Sequence, residues 1–397
     1  MKNNLFFPAD ILLPKKDFRE WSVIACDQYT SEPEYWEETE KAVGDKPSAL
    51  RIILPEVYLS DDDNDKIAKI NSTMDSYLEN GVFDSFPDTM IYTCRTLKSG
   101  AVRHGLVGLI DLEDYSYKIG ADTLIRATEQ TVVERIPPRV AIRRDASIEI
   151  PHVMLLINDE DKTVIEPITR ITDKLSKLYD FDLIQNSGHI KGYALRESDV
   201  AAVNDSLKAI LDKSTDGLLF AVGDGNHSLA TAKECYNQGC GSRYALVEVV
   251  NIHDLSLEFE PIYRVIFGAD LTLVDDFIKD RGGEYFGQDA QKFTCVYGKE
   301  VKEISVKPDG TLPIATLQGF LDKYLKNKDY KIDYVHGIEN TKKLCENESA
   351  VGFLFEGMGK SELFTAVAKD GSLPRKTFSM GCADDKRFYL ESRKIKA

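Results

Sequence analysis

The sequence has no block of basic residues, no Cys-x-x-Cys, no His-x-x-x-His and no apolar run long enough to span a bilayer. Each absence removes a class of function. Fifty Lys and Arg stand against 66 Asp and Glu, a formal charge of −16. A groove that works by neutralising nucleic-acid phosphates is therefore not expected. The longest charge-free stretch, Gly310 to Leu321, contains Pro313 and falls short of the roughly 20 residues a spanning helix needs. No membrane partner is expected. The opening segment, Met1 to Lys16, is broken by Pro8 and Asp10. A signal peptide needs an unbroken apolar run of about 7–15 residues. The seven cysteines are scattered and odd in number, which reads as reduced thiols in a cytoplasmic protein. The six histidines lack zinc-ligand spacing.

What is present is an ordinary globular mixture. Of 397 residues, 43% are hydrophobic and 29% charged, enough apolar material for two or three domains. Short apolar runs alternate with helical patterns. Pro33 to Val43 reads as a helix with Pro in its first turn, and Asp61 to Asn80 as another, stopped by Gly81. Met90–Leu97 and Val102–Leu112 predict a hairpin around Lys98-Ser99-Gly100. Asp122 to Ile136 predicts a helix ended by Pro137-Pro138. Ser22–Ala25, His152–Ile157, Leu218–Val222, Tyr244–Asn251 and Glu258–Val265 read as strands, and Asp199–Lys213 and Ser228–Asn237 as helices. After Phe267 come a helix at Leu273–Lys279 and a hairpin, Phe293–Tyr297 with Lys302–Lys307. Tyr330–His336, Glu339–Cys345, Ala350–Glu356 and Lys360–Val367 then read strand, helix, strand, helix, which predicts a parallel crossover. Arg387 to Leu390 reads as a last strand. The expected fold class is α/β, with α+β as the alternative. The main domain is expected over 1–267 and a C-terminal α/β subdomain over 268–397.

Three segments carry chemistry. In the first, an apolar strand runs into Gly223-Asp224-Gly225-Asn226-His227-Ser228 and then a helix. Gly223 and Gly225 allow a sharp turn and a close approach to a ligand. Asn226 or Ser228 can cap the helix, and the first amides favour a phosphate or carboxylate. Asp224 can hold Mg²⁺ or accept a proton, and His227 can shuttle one. The bland reading is a capped helix with an Asx-turn. In the second segment, the expected helix puts Glu129 on a face with Ile125, Val132 and Ile136. Arg126 pairs with it, and Arg126 and Arg139 serve as anion clamps, or else Glu129 is simply a rim charge held by one arginine. Arg135 continues that segment. The third, Leu373-Pro374-Arg375-Lys376-Thr377, offers two cations for an anion or is a solvated basic turn. Asp27, Gln28 and Tyr29 form a weaker candidate cluster flanked by Trp21 and Trp36, whose indoles read as packing. Pro261-Ile262-Tyr263-Arg264 is another weak candidate. The lone histidines, His152 among them, read as structural.

Taken in order, these segments resemble a divergent subgroup of the bacterial family called domain of unknown function 1015. That family's Asp-Gly-His-His-Arg-Tyr junction is similar to Asp224-Gly225-Asn226-His227-Ser228-Leu229, without the arginine at Ser228. Its Arg-His-Glu-x-Thr, followed by an Arg, looks like Glu129-Gln130-Thr131 and Arg139. Its Pro-x-His-Arg-Val resembles Pro261-Ile262-Tyr263-Arg264-Val265, and its late Pro-x-Lys-Ser/Thr resembles Pro374-Arg375-Lys376-Thr377. The Asp-Gly-His-His-Arg turn is in turn similar to one in the ParB/sulfiredoxin-like superfamily. That superfamily includes free-serine kinases and binds nucleotide phosphates at such a turn.

The resemblance implies a Mg²⁺- and nucleotide-dependent phosphotransferase, with ATP or ADP as co-substrate and serine or phosphoserine as the small anionic partner. In that reading Asp224, His227 and Glu129 are catalytic. Gly225, Asn226, Ser228, Arg126, Arg139, Arg264, Arg375 and Lys376 hold phosphate, and Asp224 and Glu129 hold Mg²⁺. The alternative is a nucleotide- or metabolite-binding regulator without turnover. Oligomeric state is not readable from the sequence.

Overall fold

The computed structural model of the protein describes residues 4–60, 62–131, 136–347, 349–381 and 383–395. Its contacts divide the chain into two compact units. The first comprises 1–127, 131–257 and 381–397, and the second 128–130 and 258–380. Among the described residues no helix is long and apolar enough to cross a membrane.

The first unit runs β1 (Ala9–Pro14), α1 (Phe18–Trp21), α2 (Pro33–Val43), α3 (Asn64–Glu79), β2 (Phe83–Thr89), β3 (Ile91–Thr96), β4 (Val102–Asp111), β5 (Tyr115–Ser116) and β6 (Ile125–Ala127). It continues α4 (Ile136–Arg144), β7 (Ile148–Glu149), β8 (Met154–Ile157), α5 (Glu166–Thr169), β9 (Ser176–Asp182), β10 (His189–Ala194) and α6 (Glu197–Lys213). Then follow β11 (Phe220–Asp224), α7 (Asn226–Asn237) and β12 (Tyr244–Asn251). Nine strands form one mixed sheet in the order β5-β6-β11-β8-β12-β4-β3-β10-β9. Apolar residues line both faces. Ile91, Val107 and Leu246 pack with Trp21, Trp36, Phe388 and Tyr389 on one side. Tyr92, Leu106, Val222 and Val247 form the core on the other.

The second unit holds β13 (Phe259–Phe267), α8 (Thr272–Asp280), β14 (Gln291–Tyr297), β15 (Glu300–Val306), α9 (Pro313–Tyr324), β16 (Lys331–His336), α10 (Ile338–Asn347), β17 (Ala350–Phe355), α11 (Glu362–Asp370) and β18 (Phe378–Met380). Its sheet, β15-β14-β17-β13-β16, is antiparallel at every pairing. Phe277, Phe293 and Phe320 pack ring against ring beneath it. The chain then returns to the first unit and ends in β19 (Arg393–Lys394), paired with β7.

Several sequence expectations need correction. The segment 122–136 is not one helix. Ile125–Ala127 pairs in parallel with β11, and a helix begins at Ile136 with Pro137 and Pro138 in its first turn. The first amides of a helix have no intrahelical acceptor, so proline starts a helix as readily as it ends one. The helical face shared by Ile125 and Glu129 therefore does not exist. Val132 and Arg135 lie outside the described residues. The expected parallel crossover has a strand inside it, because β16 and β17 flank β13 and each runs antiparallel to it. Residues 22–25 and 387–390 are not strands; they meet through a single bridge, Ile24 to Phe388. The charge-free stretch around Pro313 is a helix, α9, with Ile314, Leu317, Phe320 and Leu321 buried.

One face of the large sheet contains a charged island. Glu248 on β12 is buried and faces the same side as Leu246. Gly105 on β4 makes room for it, since a Cβ there would lie 2.4 Å from Glu248 Oε1. Thr93 donates to Oε1 at 2.8 Å, and Arg387 from the returning segment closes an ion pair on Oε2. Arg387 also bonds Glu391 at 2.6 Å, and Tyr179 donates to Glu391. A second buried carboxylate, Glu149, receives Arg143 and Arg393. Burial alone would raise both carboxyls. The charge of Arg387, Thr93's hydroxyl and Arg103 hold Glu248 below the usual range, and Arg143 and Arg393 do the same for Glu149.

Removing one partner of such a pair leaves a buried charge uncompensated, which costs about 3–5 kcal/mol. Glu248→Gln is expected to lower the unfolding free energy of the first unit by that amount. Both tryptophans lie in this unit, so their fluorescence during urea unfolding reports it. The pH dependence has a definite sign. The folded carboxyls titrate below their unfolded value of about 4.3, so the unfolded chain binds protons first as pH falls. Stability should be flat down to about pH 5 and decline below it, with a shallower decline in Glu248→Gln. Thermal melts across pH 3–7 check this.

Candidate functional site

Strand β11 is buried through Phe220, Ala221 and Val222, held between β6 and β8. It ends at Asp224, and the chain turns through Gly225 into α7. Gly225 has φ +79°, and a Cβ there would press on Val153 Cα at 3.0 Å, so glycine is required twice over. The first intrahelical bond runs from Leu229 N to Gly225 O at 3.0 Å. The amides of Asn226, His227 and Ser228 thus precede any helical acceptor, and no side chain caps the helix. This is the positive end of the helix dipole. Asn226 Oδ1 is buried there with no donor among the described residues, an acceptor whose hydrogen bond a ligand can supply.

Charged groups surround this turn. Asp224 Oδ1 accepts from Gly225 N at 3.0 Å, and Oδ2 lies 3.4 Å from Lys386 Nζ. His152, just before β8, lies beside Gly225, where a Cβ would stand 3.4 Å from its Cδ2. Its Nε2 is 3.8 Å from Asp27 Oδ2, and its Nδ1 is 2.9 Å from the Tyr389 hydroxyl. Burial keeps that phenol protonated. The imidazole thus stands between the phenol at Nδ1 and the Asp27 carboxylate at Nε2. Burial would raise the Asp27 carboxyl, but His152, the Gln28 amide and Lys386 hold it below the usual carboxylate range. Asp27 is therefore ionised at neutral pH.

The other sequence-predicted residues fall as follows. His227 and Ser228 are half-buried in the first turn of α7. Arg139, on α4, forms an ion pair with Glu56, whose backbone N–H donates to Cys26 O at 2.8 Å; it thus lies beside the loop that carries Asp27. Helix α4 packs on α7 through Ile136, Val140, Ala230 and Cys235. Arg126 is buried in β6 and donates to Thr123 O at 2.9 Å and Asp216 O at 2.5 Å, tying the strand to a neighbouring loop. Glu129 belongs to the second unit, in a bridge to Leu373.

Arg264, also in the second unit, is fully buried. It donates to Gln318 Oε1 and to the carbonyls of Ile262, Arg375 and Lys376, and lies 4.6 Å from the Tyr334 ring centroid. Burial pushes its guanidinium down to about 10. Its donors staple the Arg375–Lys376 turn, in which Lys376 has φ +53°. Among the described residues, no three or more His, Cys, Asp or Glu side chains converge as a metal cage.

Two groups at the turn carry little sequence signal. Lys386 sits in the unremarkable run Asp384-Asp385-Lys386-Arg387, and only the return of the chain brings it to Asp224. His152 reads as one lone histidine among several until Asp27 and Gly225 are placed beside it.

Comparison with solved structures gives low-identity likenesses. A free serine kinase in complex with AMP is 13% identical, with 71% of this chain and 90% of that chain covered, at a TM-score of 0.39. A conserved hypothetical protein from Pyrococcus furiosus is 15% identical over 72% of this chain and 94% of its own, at 0.38. SbnI with a C-terminal truncation, from Staphylococcus aureus, is 10% identical over 71% and 86%, at 0.38. No curated protein matches the sequence. Residues 7–334 match the family described as "Protein of unknown function (DUF1015)", and the chain belongs to that family.

Proposed function

We propose that the protein is a nucleotide-dependent phosphotransferase acting on a small hydroxy amino acid, serine or phosphoserine. The observation that carries this reading is the uncapped head of α7. Its leading amides and a buried acceptor on Asn226 meet the Asp224 carboxylate at one turn, and His152 beside the turn links it to the Asp27 carboxylate. Helix starts of this kind favour phosphate, and phosphoryl transfer asks the protein mainly for positioning and charge stabilisation. The motif resemblance of this turn to nucleotide-phosphate turns supports a nucleotide over a free anion.

The residues present fit a magnesium ion that arrives with the nucleotide. Mg²⁺ is commonly held by one or two carboxylates, with phosphate oxygens and water completing the octahedron. Asp224, whose Oδ1 keeps accepting capacity beyond its single backbone bond, and Asp27 provide the two carboxylates. When bound, the ion offsets charge on the phosphate oxygens. The work of the chain's own groups is separate. The amides of 226–228 orient a phosphate, Asn226 Oδ1 accepts from a donor on the ligand, and ionised Asp27 accepts the hydrogen bond of the attacking hydroxyl. His152, held by Tyr389, presents Nε2 toward that carboxylate.

Incubation with serine, Mg²⁺ and either ATP or ADP, followed by phosphorus NMR, should yield a phosphoserine resonance. Nucleotide binding by thermal shift without any new phosphorus signal would replace this reading with the binding-regulator alternative. Asp224→Asn keeps the turn, because Asn also accepts from the next amide. It should lower turnover by about 10²-fold or more, while urea stability stays within about 1 kcal/mol. Steady-state rates and denaturation of the same preparation test both halves. A fully active variant removes Asp224 from the chemistry.

A further inference from the structure

We infer that Lys386 is the phosphate-binding cation of this site, delivered by the C-terminal segment that returns to the first unit. The inference rests on reading the α7 head as a phosphate site, and it adds the one group that reading lacks, a positive side chain. Residues 384–390 are fixed in the first unit from both sides.

The sheet grips this segment by its carbonyls. Arg95 donates to Asp384 O at 2.7 Å and Lys386 O at 2.5 Å, and Arg103 to Asp385 O at 2.6 Å. The Arg95 guanidinium lies 4.8 Å from the Phe388 ring centroid. Burial and the neighbouring Arg103 push Arg95 down to about 9, still protonated at neutral pH. The segment also bonds to the N-terminal strands and loops. Ala25 N donates to Arg387 O at 2.9 Å and Tyr389 N to Val23 O at 2.8 Å. Arg387 reaches inward to Pro151 O at 3.0 Å and to Glu248. Residue 386 therefore has a fixed backbone on which a long side chain points outward to Asp224.

The ammonium is not committed to its carboxylate. At 3.4 Å the contact is longer than the roughly 2.7–2.9 Å of a tight charge-assisted bond, and an ammonium has three donors. Its charge also acts on Asp27. A cation shared between two acids and set beside an uncapped helix start can turn to a phosphate oxygen without leaving its place. A backbone held this firmly is more than a surface ion pair needs. Arg95 and Arg103 are accordingly positioning residues, acting through the backbone of 384–386.

Calorimetric titration of the full-length protein with ADP separates the outcomes. Lys386→Met should weaken ADP binding by at least about tenfold, the factor a charged hydrogen bond is worth. Lys386→Arg, which keeps the charge, should stay within about threefold. The wild-type protein supplies a second measurement that no folding defect can cloud. Amidination of Lys386 by methyl acetimidate, read by peptide mass spectrometry, should fall when ADP is present. Wild-type protein that does not bind ADP overturns the phosphate reading of the turn and this inference with it. ADP binding that is equal in wild type and Lys386→Met overturns the inference alone, as does a modification level that ADP leaves unchanged.

Discussion

A carboxylate placed in the middle of a sheet face has to be answered by charge from somewhere. Glu248 is that carboxylate, and much of the first unit is arranged around it. Glycine at 105 clears the space it occupies. Thr93 gives one hydrogen bond, and the residue that neutralises it, Arg387, is nearly 140 positions away in sequence. The same segment brings Glu391 to Arg387 and Tyr179, and Arg393 to Glu149. Buried ion pairs give little net stability over apolar packing, but they tolerate few alternative arrangements. The returning segment is held in one register because any shift would strand a charge.

That register reaches the candidate site. The bonds that fix the backbone at 384–387 also set where the Lys386 side chain begins, and Tyr389, two residues beyond Arg387, contacts His152. Structural and chemical roles thus alternate along one short stretch. Arg387 faces the core, while Lys386 and Tyr389 face the turn at Asp224 and the loop at Asp27.

Local patterns were readable in the sequence wherever one segment determined its own structure. The Pro33–Val43 helix, the hairpin around Gly100 and the β11–α7 junction each follow from turn chemistry and periodicity over a few residues. The segment 122–136 was misread because its apolar spacing fits a helix, while the edge of β11, which it pairs with, is distant in sequence. Proline there gave an ambiguous signal, since it is compatible with the start of a helix as well as its end. Helix α9 was hidden because its polar face carries almost no charge. At the site, the residues of the turn were visible as a motif. Lys386 and His152 were not, and Asp27 stood only in a weaker candidate cluster, because their proximity depends on three separate returns of the chain. Arg126 and Arg264 looked like anion ligands by composition, yet their donors are spent on carbonyls and side chains of the protein itself.

The closing segment also imposes an order on synthesis. Residues 384–394 leave the ribosome after all of 258–380. The first unit, begun much earlier, meanwhile holds Glu248 without its arginine and Glu149 with only one of two. Until the closing segment is made, that unit stays incompletely neutralised. The buried ion pairs of the first unit are thus completed only after the whole of the inserted middle has been synthesised.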